Sequence, residues 1–333
     1  MDCSKPAPEG LVWVLHSFVI ISIPLYSIAI VALLRIDSTY FATYKHFLVW
    51  HTSINVAAEI CNSWFLLPVV HLPHPLLRMT GILTSFGFSG LFQFYIINAL
   101  ISQTAYSILE MFMFRFRAGF YGYKSSYFYV YLRCNVYLFR GMLILAVLVD
   151  VATFSYALEQ QSEHRQLIML TFPDSPPELM CYSVVVAAPF SDPVSLFNIV
   201  VWLLVIAVTF SVTSTTTFYL NKHLRDSEHH SPAVSRMQKM LLVSLFVQTA
   251  IHGIMLGAPN LLFLYAAFFG ADHEIFAHVA FICLTFHGFF STIAMITFTR
   301  PIKIAIVRMF RCSRMFSFQP IRVSGYASDS NKI

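Results

Sequence analysis

Seven uninterrupted apolar runs, each long enough to cross a bilayer as a helix, leave this chain few ways to fold. A hydrocarbon core about 30 Å thick takes roughly 20 apolar residues in helical form, with every backbone N–H and C=O bonded inside the segment. The runs are Leu11 to Leu34, Phe47 to Val70, Gly81 to about Leu109, Gly141 to Leu158, Val194 to Leu220, Met240 to Phe269 and Ile275 to Phe298. Membrane strands would alternate with a period of two over about ten residues, whereas these runs are longer and continuously apolar. Composition points the same way, since 57% of the 333 residues are hydrophobic and 11% charged, against about 25% charged in soluble domains. The first run exceeds the core of a signal peptide and lacks a basic flank, so it is expected to stay as a helix. The expectation is an all-α membrane protein, a seven-transmembrane helix bundle over 11–298 between a short terminus, 1–10, and a tail, 299–333.

Charge gives the bundle a direction. Of the 21 lysines and arginines, 18 fall in the first, third and fifth connections and the tail. Cations collect on the cytoplasmic side, which places the N-terminus outside and the C-terminus inside. The net charge of +5 then reflects sidedness, and no nucleic-acid partner is expected. Enzyme chemistry finds little support. The six cysteines form no Cys-x-x-Cys or zinc spacing, and His71-x-x-His74, His223 and His229-His230 lie in loops without a partner cluster. Gly-x-Ser-x-Gly, His-Glu-x-x-His and phosphate-loop motifs are missing, so no catalytic residue, metal or cofactor is expected. A transporter or channel is the alternative class, weakened because the halves show no inverted repeat with matching broken helices.

Ionisable groups within spans cost about 2.5–3.5 kcal/mol at a helix centre, so they face partners inside the bundle. Glu59, with Asn55 and Ser63 a turn to either side, makes a polar stripe on the second span. Glu110 lies near the inner end of the third span, within reach of Arg115 or another helix, and Asp150 lies in the fourth. These three are candidate polar switches, each with a structural hydrogen-bonding role as the alternative. In the outer halves, Gln93, Asn198, Asn260 and His278 stand among Phe86, Phe92, Trp202, Tyr265 and Phe281. Few polar groups among aromatics suit a small, fairly apolar ligand, and ordinary helix packing is the competing reading. Pro259 should kink the sixth span. Cys3 and Cys181 share the outer, oxidising side; a disulfide between them and a free Cys3 both remain open. In the tail, Pro301 opens a segment to about residue 312 that sets Ile302, Ala305, Ile306, Met309 and Phe310 opposite Lys303, Arg308 and Arg311, an amphipathic juxtamembrane helix ending beside Cys312, a palmitoylation candidate.

Several stretches resemble nematode serpentine chemoreceptors, classes H and I of the Str superfamily. They are Pro24-Leu25-Tyr26 through Ile36, Tyr44-Lys45-His46-Phe47-Leu48 with His51, Leu67-Pro68-Val69, Pro73-His74-Pro75, Thr80-Gly81-Ile82-Leu83, Ser235-Arg236-Met237-Gln238-Lys239 and Ser244-Leu245-Phe246-Val247-Gln248. The resemblance implies a G-protein-coupled chemosensory receptor for an odorant or pheromone-like small molecule, in the plasma membrane of a sensory-neuron cilium. It implies an inner face that meets a heterotrimeric G protein, with Arg115, Arg117, Arg236 and Lys239 as candidate contacts. Where the family carries a Pro-Tyr-Arg-like element after the seventh span, this chain has Pro301-Ile302-Lys303, and it has neither Asp/Glu-Arg-Tyr nor Asn-Pro-x-x-Tyr. Oligomeric state is not encoded in any of these features.

Overall fold

A computed structural model describes residues 5–37, 41–71, 76–119, 124, 126–171, 177–186, 193–226, 232–269, 274–311 and 321–322. The first span is α1 (Glu9–Arg35), with an acid in its first turn and a base in its last, each matched to the helix dipole. Its buried positions Leu11, Leu15, Val19, Ser22, Tyr26, Ala29 and Leu33 follow helical spacing. The second span is α2 (Ala42–Ile60), continued by a π turn, Cys61–Leu66. It stops where Leu67 enters the left-handed region at φ 41° and its N–H bonds the Asn62 carbonyl at 3.2 Å, turning the chain ahead of Pro68.

The third span begins later than its apolar run. A single turn, α3 (Ile82–Ser85), is cut off by Gly87 at φ 81°, and α4 (Gly90–Gly119) starts after Ser89, whose hydroxyl accepts the Phe92 N–H at 3.2 Å. Gly90 is required there, because a Cβ would sit 2.4 Å from the Ser183 carbonyl oxygen. The fourth span, shortest by hydropathy, is the longest helix: α5 (Tyr127–Thr171) has 45 residues. Hydropathy marks only the lipid-facing part, whereas the Glu, Gln, Arg and Leu residues after it are strong helix formers that prolong it on the C-terminal side. The remaining spans are α6 (Pro193–Asp226), then α7 (Pro232–His252) and α8 (Ala258–Phe269) joined by a π turn, Gly253–Gly257, and last α9 (Glu274–Phe298).

These helices close into a ring. Successive spans pack in order, α9 returns to α1 and α2, and α4 also touches α6 and α7, which makes it the central helix. Among the described residues, α1, α4, α5, α7 with α8, and α9 are long and apolar enough to cross a membrane on composition alone; in α2 the buried His51, Asn55 and Glu59 dilute the hydropathy. After Thr299, α10 (Arg300–Arg311) turns away and packs on α1 and α9. Ile302 and Ala305 are buried in the core with Ala29 and Leu33, while Phe310 and Val307 remain exposed. Ile302 and Ala305 thus anchor this helix.

A small sheet at the opposite end was not foreseen. Pro68–His71 (β2), Leu76–Met79 (β3) and Val184–Val186 (β4) pair antiparallel in the order β2-β3-β4, with Val69 opposite Arg78 and Leu77 opposite Val185. The residues of β2 fall within the apolar run of the second span, but Pro68 and the β-branched Val69 and Val70 favour extended backbone. Ile36–Asp37 (β1) pairs parallel with Ile321–Arg322 (β5). The three-stranded sheet contacts α4, α5 and α9 and so lies across the end of the bundle. Arg78 ties the N-terminal segment onto it by donating to the Lys5 and Pro6 carbonyls at 2.7 and 3.3 Å, and Lys5 pairs with Glu178. From α5, Arg165 donates to the Cys181 and Val184 carbonyls at 3.0 and 2.7 Å, and Gln161 accepts from the Val186 N–H at 2.7 Å. Cys181 is disulfide-bonded, with its partner outside the described residues; Cys3 and Cys312 lie outside them too.

Candidate functional site

The centre of the bundle is polar. Five helices send hydrogen-bonding side chains into it, and each residue named next is at most 4% exposed. On α2, His51, Asn55 and Glu59 recur every four residues along one face. Glu59 accepts from Ser22 of α1, and from Tyr26 of α1 at 2.7 Å, so both carboxyl oxygens are held by hydroxyls. His51 Nδ1 lies 2.7 Å from the Ser107 hydroxyl of α4, and that hydroxyl donates to the Thr104 carbonyl at 2.7 Å. Ser107 must therefore accept from His51 Nδ1–H, which leaves Nε2 bare to accept from Asn55 at 3.2 Å.

Two more histidines complete the layer. The His252 ring of α7 lies 5.1 Å from that of His51 and 5.0 Å from that of His287 on α9. His252 Nδ1 donates to the Gln248 carbonyl at 2.7 Å and His287 Nδ1 to the Leu284 carbonyl at 2.6 Å, so both Nε2 atoms are acceptors. Neither has a donor, and nor do Gln248 Oε1 and Asn55 Oδ1. An unmatched buried acceptor costs about 1–3 kcal/mol, so each of these four atoms calls for a donor beyond the protein groups around it.

Below the histidines α7 carries further ties. Gln248 donates to Ser244, whose hydroxyl meets Thr299 at 2.9 Å just before α10. One level lower, Gln238 accepts from Arg115 at 3.4 Å. Arg115 is 1% exposed and lies flat on the Tyr44 ring of α2 at 3.3 Å, with Nε and one terminal nitrogen unpartnered. Arg115, a candidate contact for the G protein, is thus buried beside Tyr44 in this arrangement. Arg117 and Arg236 are exposed and Lys239 is partly so. Glu110 pairs with Arg140 of α5 and not with Arg115. Asp150 is half-buried on α5.

The outer candidates do not form one cluster. Gln93 is fully buried and spends its N–H groups on Thr84 at 3.1 Å and the Phe88 carbonyl at 2.9 Å, which fastens the α3–α4 break. Asn260 donates to the Leu256 carbonyl at 2.7 Å, bridging the junction of the π turn with α8. His278 retains a buried Nε2 without a partner. The Asn198 and Trp202 side chains lie outside the described residues. Of the aromatics expected to surround these candidates, Phe86, Phe92 and Tyr265 are exposed at the periphery, whereas Phe281 is buried in the core.

His252 and His287 were not singled out from the sequence, although the rule that selected the acids applies to them: an imidazole inside an apolar run is also an ionisable group within the membrane. Among the described residues, no group of three or more His, Cys, Asp or Glu side chains has the geometry of a metal site.

The model of a protein family described as serpentine type 7TM GPCR chemoreceptor Srh matches residues 6–312. No curated protein and no solved structure matches the chain.

Proposed function

Because the chain belongs to the Srh family of serpentine seven-transmembrane chemoreceptors, we propose that it binds a small molecule from outside and signals to a heterotrimeric G protein inside. It is a multi-pass membrane protein, and the lysine and arginine asymmetry supports an outer N-terminus and a cytoplasmic α10. We place it in the plasma membrane, at a sensory cilium by family resemblance.

One observation carries the mechanism. The inner half of the sixth span, α7, is tied to its neighbours by the Ser244–Thr299 and Arg115–Gln238 hydrogen bonds and by the His252 ring packed against His51 and His287, and the helix loses regular geometry directly above, at Gly253–Gly257. Pro259 cannot donate to the carbonyl one turn back, and the flanking glycines tolerate the wider turn. The outer half, α8, can therefore respond to a ligand while the unsaturated histidine layer decides whether α7 follows. A ligand shifts this equilibrium only by its difference in affinity for the two positions. Completing one or two such acceptors in one position and not in the other supplies a gap of a few kcal/mol.

The test is calcium imaging of cells expressing the chain with a promiscuous Gα, over a panel of volatile and water-soluble small molecules. A response that disappears without the Gα is expected, and His252→Ala should alter it at unchanged surface expression. A ligand-dependent response that persists without any Gα would replace coupling by ion conduction.

A further inference from the structure

Between the end of α4 and the first turns of α5 lies a small, shallow depression open to the surface. Arg117 from α4 and Arg133 and Arg140 from α5 line it, and Glu110 is the one acid among the lining residues. Glu110 pairs with Arg140. Arg117 and Arg133 have no carboxylate against them among the described residues, so the depression carries a surplus of positive charge. The guanidinium groups are also oriented: Arg133 and Arg140 stand 5.4 and 5.7 Å from the Tyr137 ring, and Arg140 stands 5.6 Å from that of Tyr106. Arg140 Nε is buried with no acceptor.

The surroundings decide what such a site can hold. Its α5 wall turns apolar and aromatic side chains outward: Tyr137, Leu138 and Val130 are all more than half exposed. Of the most apolar stretch of α5 only 6% is buried, the least of the candidate spans. The depression therefore opens sideways, towards lipid, with planar cation forks at the level of the tyrosines and hydrocarbon contact next to them. Guanidinium forks match phosphate oxygens in pairs, and basic pockets between helices at the cytoplasmic boundary suit lipid headgroups.

We propose that this α4–α5 cleft is a binding site for the phosphate headgroup of an anionic lipid of the inner leaflet. Arg117 and Arg133 hold the phosphate, Tyr137 orients the forks, and the acyl chains run along the exposed face of α5. Glu110 competes with the phosphate for Arg140, so occupancy loosens the Glu110–Arg140 pair. The leaflet follows from the orientation proposed above; the binding itself does not depend on it, nor on any G-protein signal.

Native mass spectrometry of the full-length protein in neutral detergent, titrated with phosphatidylserine or phosphatidylcholine, tests the site. The wild type should retain one phosphatidylserine in preference to phosphatidylcholine. Arg133→Gln and Arg117→Gln should each weaken retention about fivefold, the effect of one basic residue near an anionic surface. Glu110→Gln should strengthen retention, and Arg308→Gln on α10 should leave it unchanged, all in variants that remain monodisperse. Equal retention of phosphatidylcholine would overturn the proposal, as would an Arg308→Gln loss equal to that of Arg133→Gln, which would mean a diffuse field. Displacement of the lipid by inorganic phosphate at similar concentration would reassign the cleft to a free anion.

Discussion

Gly288 shows how little slack the polar centre has. A methyl group there would sit 2.5 Å from Asn55 Cβ and 2.8 Å from the Tyr26 hydroxyl, so α9 meets α1 and α2 at the level of the Glu59 hydrogen bonds. Gly288→Ala should cost about 1–3 kcal/mol by overpacking, read as a lower melting temperature in detergent, and should separate Tyr26 from Glu59. The second-span half of this centre was legible in the sequence, since Asn55 and Glu59 share a helical face and a carboxyl within an apolar run needs a partner. The partner was not legible. Ser22 and Tyr26 are unremarkable residues on α1, and only the approach allowed by Gly288 brings all three helices together. Arg115 teaches the converse: an arginine near a helix end reads as a surface cation, and whether it reaches water or folds onto a ring such as Tyr44 depends on tertiary contacts that spacing does not encode.

At the scale of elements, the sixth span is built to bend. Pro259 led to the expectation of a kink, whereas the π turn at Gly253–Gly257 could not be foreseen, because one extra residue per turn leaves no mark on an already apolar run. Pro259→Ala restores a backbone donor and should stiffen the α7–α8 junction. The expected outcome is a higher melting temperature, by an amount worth about 1 kcal/mol or more given the cost of an interior proline, together with a smaller maximal calcium response at equal surface expression. A proline that serves packing alone would leave the response intact. The fourth span misled in a different way. Hydropathy locates the stretch that lipid must cover, and α5, at 45 residues, continues past it because nothing at either edge stops a helix.

For the molecule as a whole, the helical bundle follows from the apolar runs, but the sheet at its end does not, because its strands are short and come from two distant connections. Its clasp has a pH dependence of defined sign. The Lys5 ammonium bonded to Glu178 holds that carboxyl below its ordinary value, with a backbone hydrogen bond acting the same way and burial opposing both. Stability from the clasp is therefore present above the usual carboxylate range, about 4.3, and is lost as pH falls through the lower folded value. The Lys5 side chain is 59% exposed, so the whole effect should stay under about 1 kcal/mol. Limited proteolysis of the N-terminal segment should speed up in acid for the wild type, whereas Glu178→Gln should be cleaved faster at neutral pH and show little further change. The clasped sheet also bears on how a stimulus arrives. The sheet β2-β3-β4 lies over α4, α5 and α9, and we propose that this cover favours molecules that reach the bundle from the bilayer over those that come from water. The dose the receptor experiences is then the aqueous concentration multiplied by a partition coefficient, and potency across a homologous series should climb with chain length until solubility fails.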